Sequence, residues 1–311
     1  MLKNYGLRIE AEARVKDWIF GGISAIEPVN LVEKGWSDYL PVKEVQRNKF
    51  FDSMACVTFS ALNCLEILHK RLYEIEVNWS DRWMARVSGT TTKGNYLSTV
   101  ADTIRKKGLI LEEFWQFDNF KSWNEYMADP PDELDDYGKE FLEHYEVRWE
   151  WVMTRNAKYL KGVLRIAPLQ VTGFAWEKPI DGIYKRTTKK ANHAFTVHDY
   201  KDGEYWLAFD HYDRSIKKLA WNFKFGHIIK YKLEQKKPMP AQIPNNTLVQ
   251  LVEGKGGFAL ALDGKLIVDK LDKVLASFIV RNEGEIDGKT KALLQEDWDS
   301  FSKINLKKQP I

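Results

Sequence analysis

Cys56 opens a long apolar-striped stretch, FFDSMACVTFSALNCLEILHKRL, and His193 begins a strand-like run far downstream, NHAFTVHDY. A thiol and an imidazole are two of the three parts that nucleophilic acyl transfer needs. The thiolate attacks, the base shares its proton, and a third group fixes the base's tautomer. Phe59, Leu62, Leu65, Leu68 and Leu72 recur at steps of three and four, which predicts a helix burying one face. Asp52 or Ser53 is placed to cap it, so Cys56 falls in the first turn. There the unpaired N–H groups and the positive end of the helix dipole favour thiolate, and a nearby imidazolium favours it further.

The third group follows from a hairpin. AFTVHDY and EYWLAFD flank Lys201-Asp202-Gly203, and Asp-Gly is a strong hairpin signal. A turn centred on Asp202-Gly203 opposes Phe195 to Asp210 and His193 to Tyr212. Side chains alternate faces along a strand, so these four project from one side. Asp210 is then the diagonal neighbour of His193, with Cα atoms ~7–8 Å apart, within reach of a carboxylate–imidazole bond. His198 and His211 are expected on the opposite side. The register thus singles out His193 among 6 histidines and gives it an orienting partner.

Composition fits a packed protein. The chain has 311 residues, 44% hydrophobic and 13% aromatic, with 12 tryptophans. A net charge of +3 with interspersed signs gives no footprint for nucleic acid. The only cysteines, Cys56 and Cys64, fall on one predicted helix, ~12 Å apart, too far for a disulfide. Two cysteines and scattered histidines offer no zinc spacing, and the acidic cluster Asp129, Asp132, Glu133, Asp135 and Asp136 reads as a solvated loop and helix start. No metal or organic cofactor is expected. Neither a signal-peptide core nor a run of about 18 apolar residues occurs, so no membrane partner is expected either.

The pattern of elements is α+β. Residues 1–35 read as an extended lead-in. Helices are expected over 54–72, 95–107, 128–145 and 156–165, and strands over 146–152, LQVTGFA, AFTVHDY, EYWLAFD and HIIKYKL. Helices thus precede strands rather than alternating with them. The prolines of KKPMPAQIPNN mark a linker at 237–244. Beyond it, 245–311 reads as a small accessory domain with a hairpin over TLVQLVEGKGGFALALDGKLIV and helices at 269–280 and 288–302.

Several segments, in order, resemble the papain family of cysteine peptidases. GWSDYLPVKEVQ and TFSALN resemble the family's entry segment and nucleophile helix. NWSDRWMARVSGT resembles the segment that follows, and KGNYLSTVADTIRKKGLILEEFWQF its substrate loop and next helix. NHAFTVHDY resembles the catalytic-histidine strand, and YWLAFDHYDRS the strand carrying Asn-Ser-Trp. The resemblance spans about 35–234, so a peptidase domain is expected over 36–236, with a helical left lobe and an antiparallel β right lobe.

That resemblance implies Cys56 as nucleophile, His193 as general acid/base and Asp210 where the family has asparagine. It implies Gln46 as oxyanion donor, Gly94, Asn95 and Tyr96 as the loop that meets substrate backbone, and Tyr212 in place of the shielding tryptophan. The chain departs from the family in a longer segment between Gln46 and Cys56, in Ala55 and Val57 beside the thiol, and in the charge at Asp210, which favours an imidazolium. The expected function is endopeptidase action on a peptide or protein through a thioester. The rivals are a catalytically silent adaptor of the same fold, which would assemble with a partner through the C-terminal domain, and a cell-wall peptide hydrolase. A similarity to papain-like proteins of tailed phages makes the expected setting cytoplasmic or virion-associated.

Overall fold

Every residue from Cys56 to His69 is buried in helix α1 (Cys56–Tyr73), which forms the axis of the N-terminal unit. The apolar stripe predicted one buried face. Val57, Ala61, Cys64 and Ile67 on the other faces are buried as well, because α1 is covered by the sheet on one side and by other helices on the rest. The structure is a computed structural model. It describes residues 4–10, 35–41, 45–117, 120–153, 155–213 and 215–236, and five strands of the C-terminal part. It divides into two units, Met1–Lys236 and Lys237–Ile311.

Helices α2 (Asp81–Val87), α3 (Leu97–Lys107), α4 (Trp123–Tyr126) and α5 (Glu133–His144) follow α1. Ser80 caps α2 by accepting the Trp83 N–H, and Gly108 ends α3 with φ 77°. Phe51, Ala55, Phe59, Ala85 and Tyr126 form an apolar cluster just before and beside the start of α1.

The second half is a sheet of seven strands with α6 (Ala157–Leu164) inserted in its sequence. The strands are β1 (Tyr145–Trp151), β2 (Leu169–Gly173), β3 (Ile183–Tyr184), β4 (His193–Lys201), β5 (Tyr205–Asp210), β6 (Ser215–Ala220) and β7 (Ile228–Gln235). Their order is β1-β7-β2-β4-β5-β6-β3, antiparallel throughout except for the parallel β3–β6 pair. The chain is therefore α+β, as its element pattern predicts. Helices α2 and α4 and strands β3 and β6 were not anticipated; β6 alternates poorly in sequence, since Lys217 is buried within it and Ile216 is exposed.

Buried polar bonds rivet α1 to the sheet. Gln170 on β2 donates from Nε2 to the Val57 carbonyl at 2.8 Å and to Ser60 Oγ at 2.9 Å. Its Oε1 accepts the Tyr231 hydroxyl of β7 at 2.7 Å. Thr196 on β4 donates to the Ser60 carbonyl at 3.1 Å. Both rivets fall in the first turns of α1, so they set where Cys56 sits relative to β4.

The C-terminal unit contains β8 (Leu248–Leu251), β9 (Phe258–Leu262), β10 (Lys265–Asp269), β11 (Lys291–Leu293) and β12 (Lys303–Asn305), in the order β11-β8-β9-β10-β12. The expected hairpin is present as the antiparallel β8–β9–β10 meander. Of the helix expected over 288–302, the described residues Lys291–Leu293 form strand β11 instead and pair with β8, and the rest lies outside the described residues; strand pairing overrides local helix pattern. Apart from Asp269, which ends β10, the helix expected at 269–280 lies outside the described residues.

Candidate active site

Helix α1 starts without a side-chain cap. Ala55 occupies the N-cap position, and Asp52 is turned elsewhere. Its Oδ1 accepts the Met54 N–H at 3.1 Å and Gln46 Nε2 at 3.0 Å, and its Oδ2 accepts the Tyr212 hydroxyl at 3.1 Å. Met54 takes a positive φ of 51°, an unfavourable state for a residue that carries a Cβ, two residues before the helix begins. The positive end of α1 is thus left open at Cys56.

Cys56 is fully buried. Burial pushes its thiol well above the ordinary range, against a backbone hydrogen bond from Ala194, with Asp52 and Asp210 raising it further. The Ala194 bond matters for geometry, since it fixes the sulfur beside the residue that follows His193. Cys64, also a free thiol, lies 3.7 Å from Thr196 Oγ1 in the helix–sheet seam.

His193 begins β4 and is buried. Its Nε2 lies 2.9 Å from Asp210 Oδ1, while Nδ1 has no hydrogen-bond partner among the described residues. With Nε2–H given to the carboxylate, Nδ1 is the nitrogen available to the thiol. Asp210, at the end of β5, is a hub. Its Oδ1 also accepts the Tyr212 N–H at 3.1 Å, and its Oδ2 accepts Trp176 Nε1 at 2.8 Å and lies 3.3 Å from Lys217 Nζ. Burial opposes its charge, but His193, then His211 and Lys217, hold its carboxyl well below the usual carboxylate range.

The hairpin reaches the expected register by a compensation. Lys201 pairs with Tyr205, so the turn holds one residue more than expected, and a bulge between Val197 and Asp199 restores Thr196 opposite Phe209. The same bulge takes His198 out of the ladder. It is buried, lies 3.3 Å from Ser37 Oγ, and burial lowers its pKa to about 4.

His211 is not on the far side. It follows the last residue of β5, where alternation no longer applies, and its ring lies 5.2 Å from that of His193 and stacks 5.3 Å from Phe59. Burial, then the His193 charge, lowers its pKa to about 3. His193, Asp210 and His211 each bring one ligand atom within 4.8 Å of the others. The Lys217 ammonium beside Asp210 argues against a metal cation there.

Gln46 lies at the same centre. Its backbone is pinned by Gln46 N to His211 O at 3.1 Å and by Ser53 N to Gln46 O at 3.0 Å, and its Nε2 also donates to the Tyr5 carbonyl at 3.1 Å. Gly94 has φ 86°, and the Asn95 side chain ties its loop to Ser88 and Thr90. The backbone of Asn95 pairs with residues 6 and 8 of the chain itself. Tyr96 leads into α3, and Arg8 stacks 4.3 Å over its ring. The Tyr212 ring sits 6.1 Å from His193, covered by Arg47 at 4.3 Å.

Four participants escaped sequence reasoning. Trp176 lies in a loop with no periodicity; its ring is 5.9 Å from His193, so it shares with Tyr212 the shielding of the imidazole–carboxylate pair. Lys217 was hidden because a buried lysine reads as a surface one. Asp52 was read only as a cap. Tyr5 sits in the lead-in, where nothing marks it.

No family model matches the chain, and no curated protein matches its sequence. Solved structures do match in fold. The clostridial cysteine protease Cwp84 after propeptide cleavage aligns at TM-score 0.51 and 12% identity over 64% of this chain and 56% of that one. Bromelain from Ananas comosus aligns at TM-score 0.47 and 16% identity, over 64% and 98%. The ragweed pollen cysteine protease Amb a 11 in its proform aligns at 0.47 and 14%, over 68% and 68%. The chain thus spans little more than half the length of Cwp84. Its helical half, its antiparallel sheet and the placement of a cysteine helix against a histidine strand together identify the fold as that of the papain-like cysteine proteases.

Proposed function

We propose that the chain is a thiol endopeptidase in which Cys56 attacks a peptide carbonyl. The observation carrying this reading is the convergence of an uncapped helix start bearing Cys56 on the strand start bearing His193, whose far nitrogen is held by Asp210 at 2.9 Å. His193 Nδ1 takes the thiol proton as sulfur bonds to the carbonyl carbon. Charge growing on the oxygen is met by the Gln46 side-chain amide and the Cys56 backbone N–H. His193 then protonates the leaving amine, giving a thioester. Next it takes a proton from water, whose oxygen attacks the thioester and releases the acid and the thiol. Asp210 keeps the imidazole in one tautomer and offsets its charge. The Asn95 backbone N–H and carbonyl, which pair here with residues 6 and 8 of the chain itself, suit a peptide substrate.

The resting thiol is held neutral by burial, and thiolate forms as the imidazolium forms beside it. The test is hydrolysis of casein and of purified peptidoglycan by the full chain. Cleavage lost in Cys56→Ala and in His193→Ala is expected, with casein the better substrate. Cleavage that persists in Cys56→Ala overturns the reading, and cleavage of peptidoglycan alone moves the target to the cell wall.

A further inference from the structure

Strands β4, β5 and β6 are neighbours in the sheet, with Thr196 opposite Phe209 and Asp210 opposite Ser215. Lys217 pairs with Ala208, so it is the diagonal neighbour of Asp210 and projects from the same face. His193, Asp210 and Lys217 thus form a row across three strands. The imidazole holds one carboxylate oxygen and the ammonium lies against the other.

Lys217 is 3% exposed, rare for a lysine. Its Nζ lies 3.3 Å from Asp210 Oδ2 and donates to Asp213 Oδ2 at 2.6 Å and to Ser215 Oγ at 2.7 Å. The Trp176 and Tyr184 rings wall it in, their centroids 5.3 and 5.5 Å from the ammonium. Trp176 also donates to Asp210 Oδ2, so one indole covers both charges. Burial works against the ammonium, yet Asp213 and then Asp210 hold it above the ordinary lysine range. A lysine that only anchored Asp213 could stay at the surface, where Asp213 itself is 44% exposed. A buried cation is tolerated where a buried carboxylate stands beside it.

The proposed reaction needs that cation. His193 must take a proton from the thiol and return it to the leaving amine. A buried carboxylate acting alone favours the imidazolium so strongly that the proton stays. The other groups facing the pair supply no second positive charge. Asp52 adds negative charge near Cys56, Tyr5 and Tyr212 are phenols, and burial keeps His211 neutral. Arg47 is turned to the Tyr212 ring and carbonyl.

We propose that Lys217 is a positioning residue of the reaction: set behind Asp210 on the same sheet face, its ammonium offsets the carboxylate so that His193 can both take and give up a proton. The proposal rests on Cys56 and His193 being the reacting pair.

The experiment follows two pH profiles of the full chain from about pH 5.5 to about pH 9: kcat/KM on casein, and iodoacetamide labelling of Cys56 read by mass spectrometry with Cys64 as the internal reference. Lys217→Met is expected to move both profiles up by about one pH unit, because the unbalanced carboxylate then holds the proton on His193. Asp210→Asn moves them down. The two substitutions together return them to within a few tenths of a unit of wild type, and Lys217→Arg, which keeps the charge, leaves them in place. Urea unfolding checks that each chain is folded. A lysine that only braces the Asp213 turn lowers the rates at every pH with the profiles unmoved, and that result overturns the proposal. So does a double variant whose profiles stay where Lys217→Met puts them. If Lys217→Met does not fold by itself, Asp210→Asn with and without Lys217→Met makes the same comparison, and equal profiles there overturn the proposal. Labelling profiles that move as expected in chains that hydrolyse nothing support the role of Lys217 and overturn the peptidase reading alone. Labelling of Cys56 that is absent or flat with pH in every chain overturns both.

Discussion

At the scale of single residues, the charge at Asp210 is balanced on the other side of the carboxylate. His193 takes one oxygen, and Lys217, nearly all buried, lies against the other together with Trp176. The lysine also reaches Asp213 at 2.6 Å. Asp210→Asn keeps one acceptor oxygen, for His193 Nε2–H, and sets an NH2 group against the Trp176 indole and the Lys217 ammonium, so kcat/KM is expected to stay within about tenfold of wild type while urea stability falls. Asp210→Ala leaves the imidazole, the indole N–H and the ammonium without an acceptor. A loss of about 3 kcal/mol in urea unfolding is expected, with kcat falling far more than KM rises.

Two other histidines tie stability to pH. Burial lowers His198 to about 4 and His211 to about 3, against 6.5 when exposed. The unfolded chain therefore binds protons that the folded chain refuses, and stability falls as pH drops below 6.5. Each should account for about 2 kcal/mol between pH 7 and pH 5. Urea titrations of Cys56→Ala at the two pH values measure the sum, and His198→Gln should remove roughly half of the difference.

At the scale of elements, the site depends on how α1 is riveted to β2 and β4. Gln170→Leu removes both donors to the first turns of α1 and orphans the buried Tyr231 hydroxyl. A loss of about 2–3 kcal/mol is expected, with kcat falling more than KM rises, because the thiol shifts while the Asn95 loop does not. The hairpin carries a different lesson. An Asp-Gly signal and strand alternation put His193 and Asp210 on one face, and the pairing of Thr196 with Phe209 agrees. The route there, a longer turn offset by a bulge at His198, is not written in the alternation. Alternation also stops at the end of β5, which is why His211 turns toward His193.

At the scale of the molecule, the residues described as one unit, Met1–Lys236, hold every residue of the candidate site. Residues 1–236 expressed alone are expected to unfold in one cooperative transition and to label at Cys56 as the full chain does; circular dichroism and mass spectrometry check this. Among the described residues no helix is long and apolar enough to cross a membrane.

The sequence by itself determined the α+β class, the helix start that carries Cys56 and the strand face shared by His193 and Asp210. Those properties are local: periodicity, a turn dipeptide and the two-residue repeat of a strand. Tertiary structure alone decided that α1 would be buried on every side, that Lys217 would balance Asp210, that Trp176 would roof the imidazole and that Tyr5 would lie on Gln46. Each of these joins residues far apart in the chain. No local pattern encodes such a meeting, because its energy comes from desolvation and packing that exist only once the chain has closed.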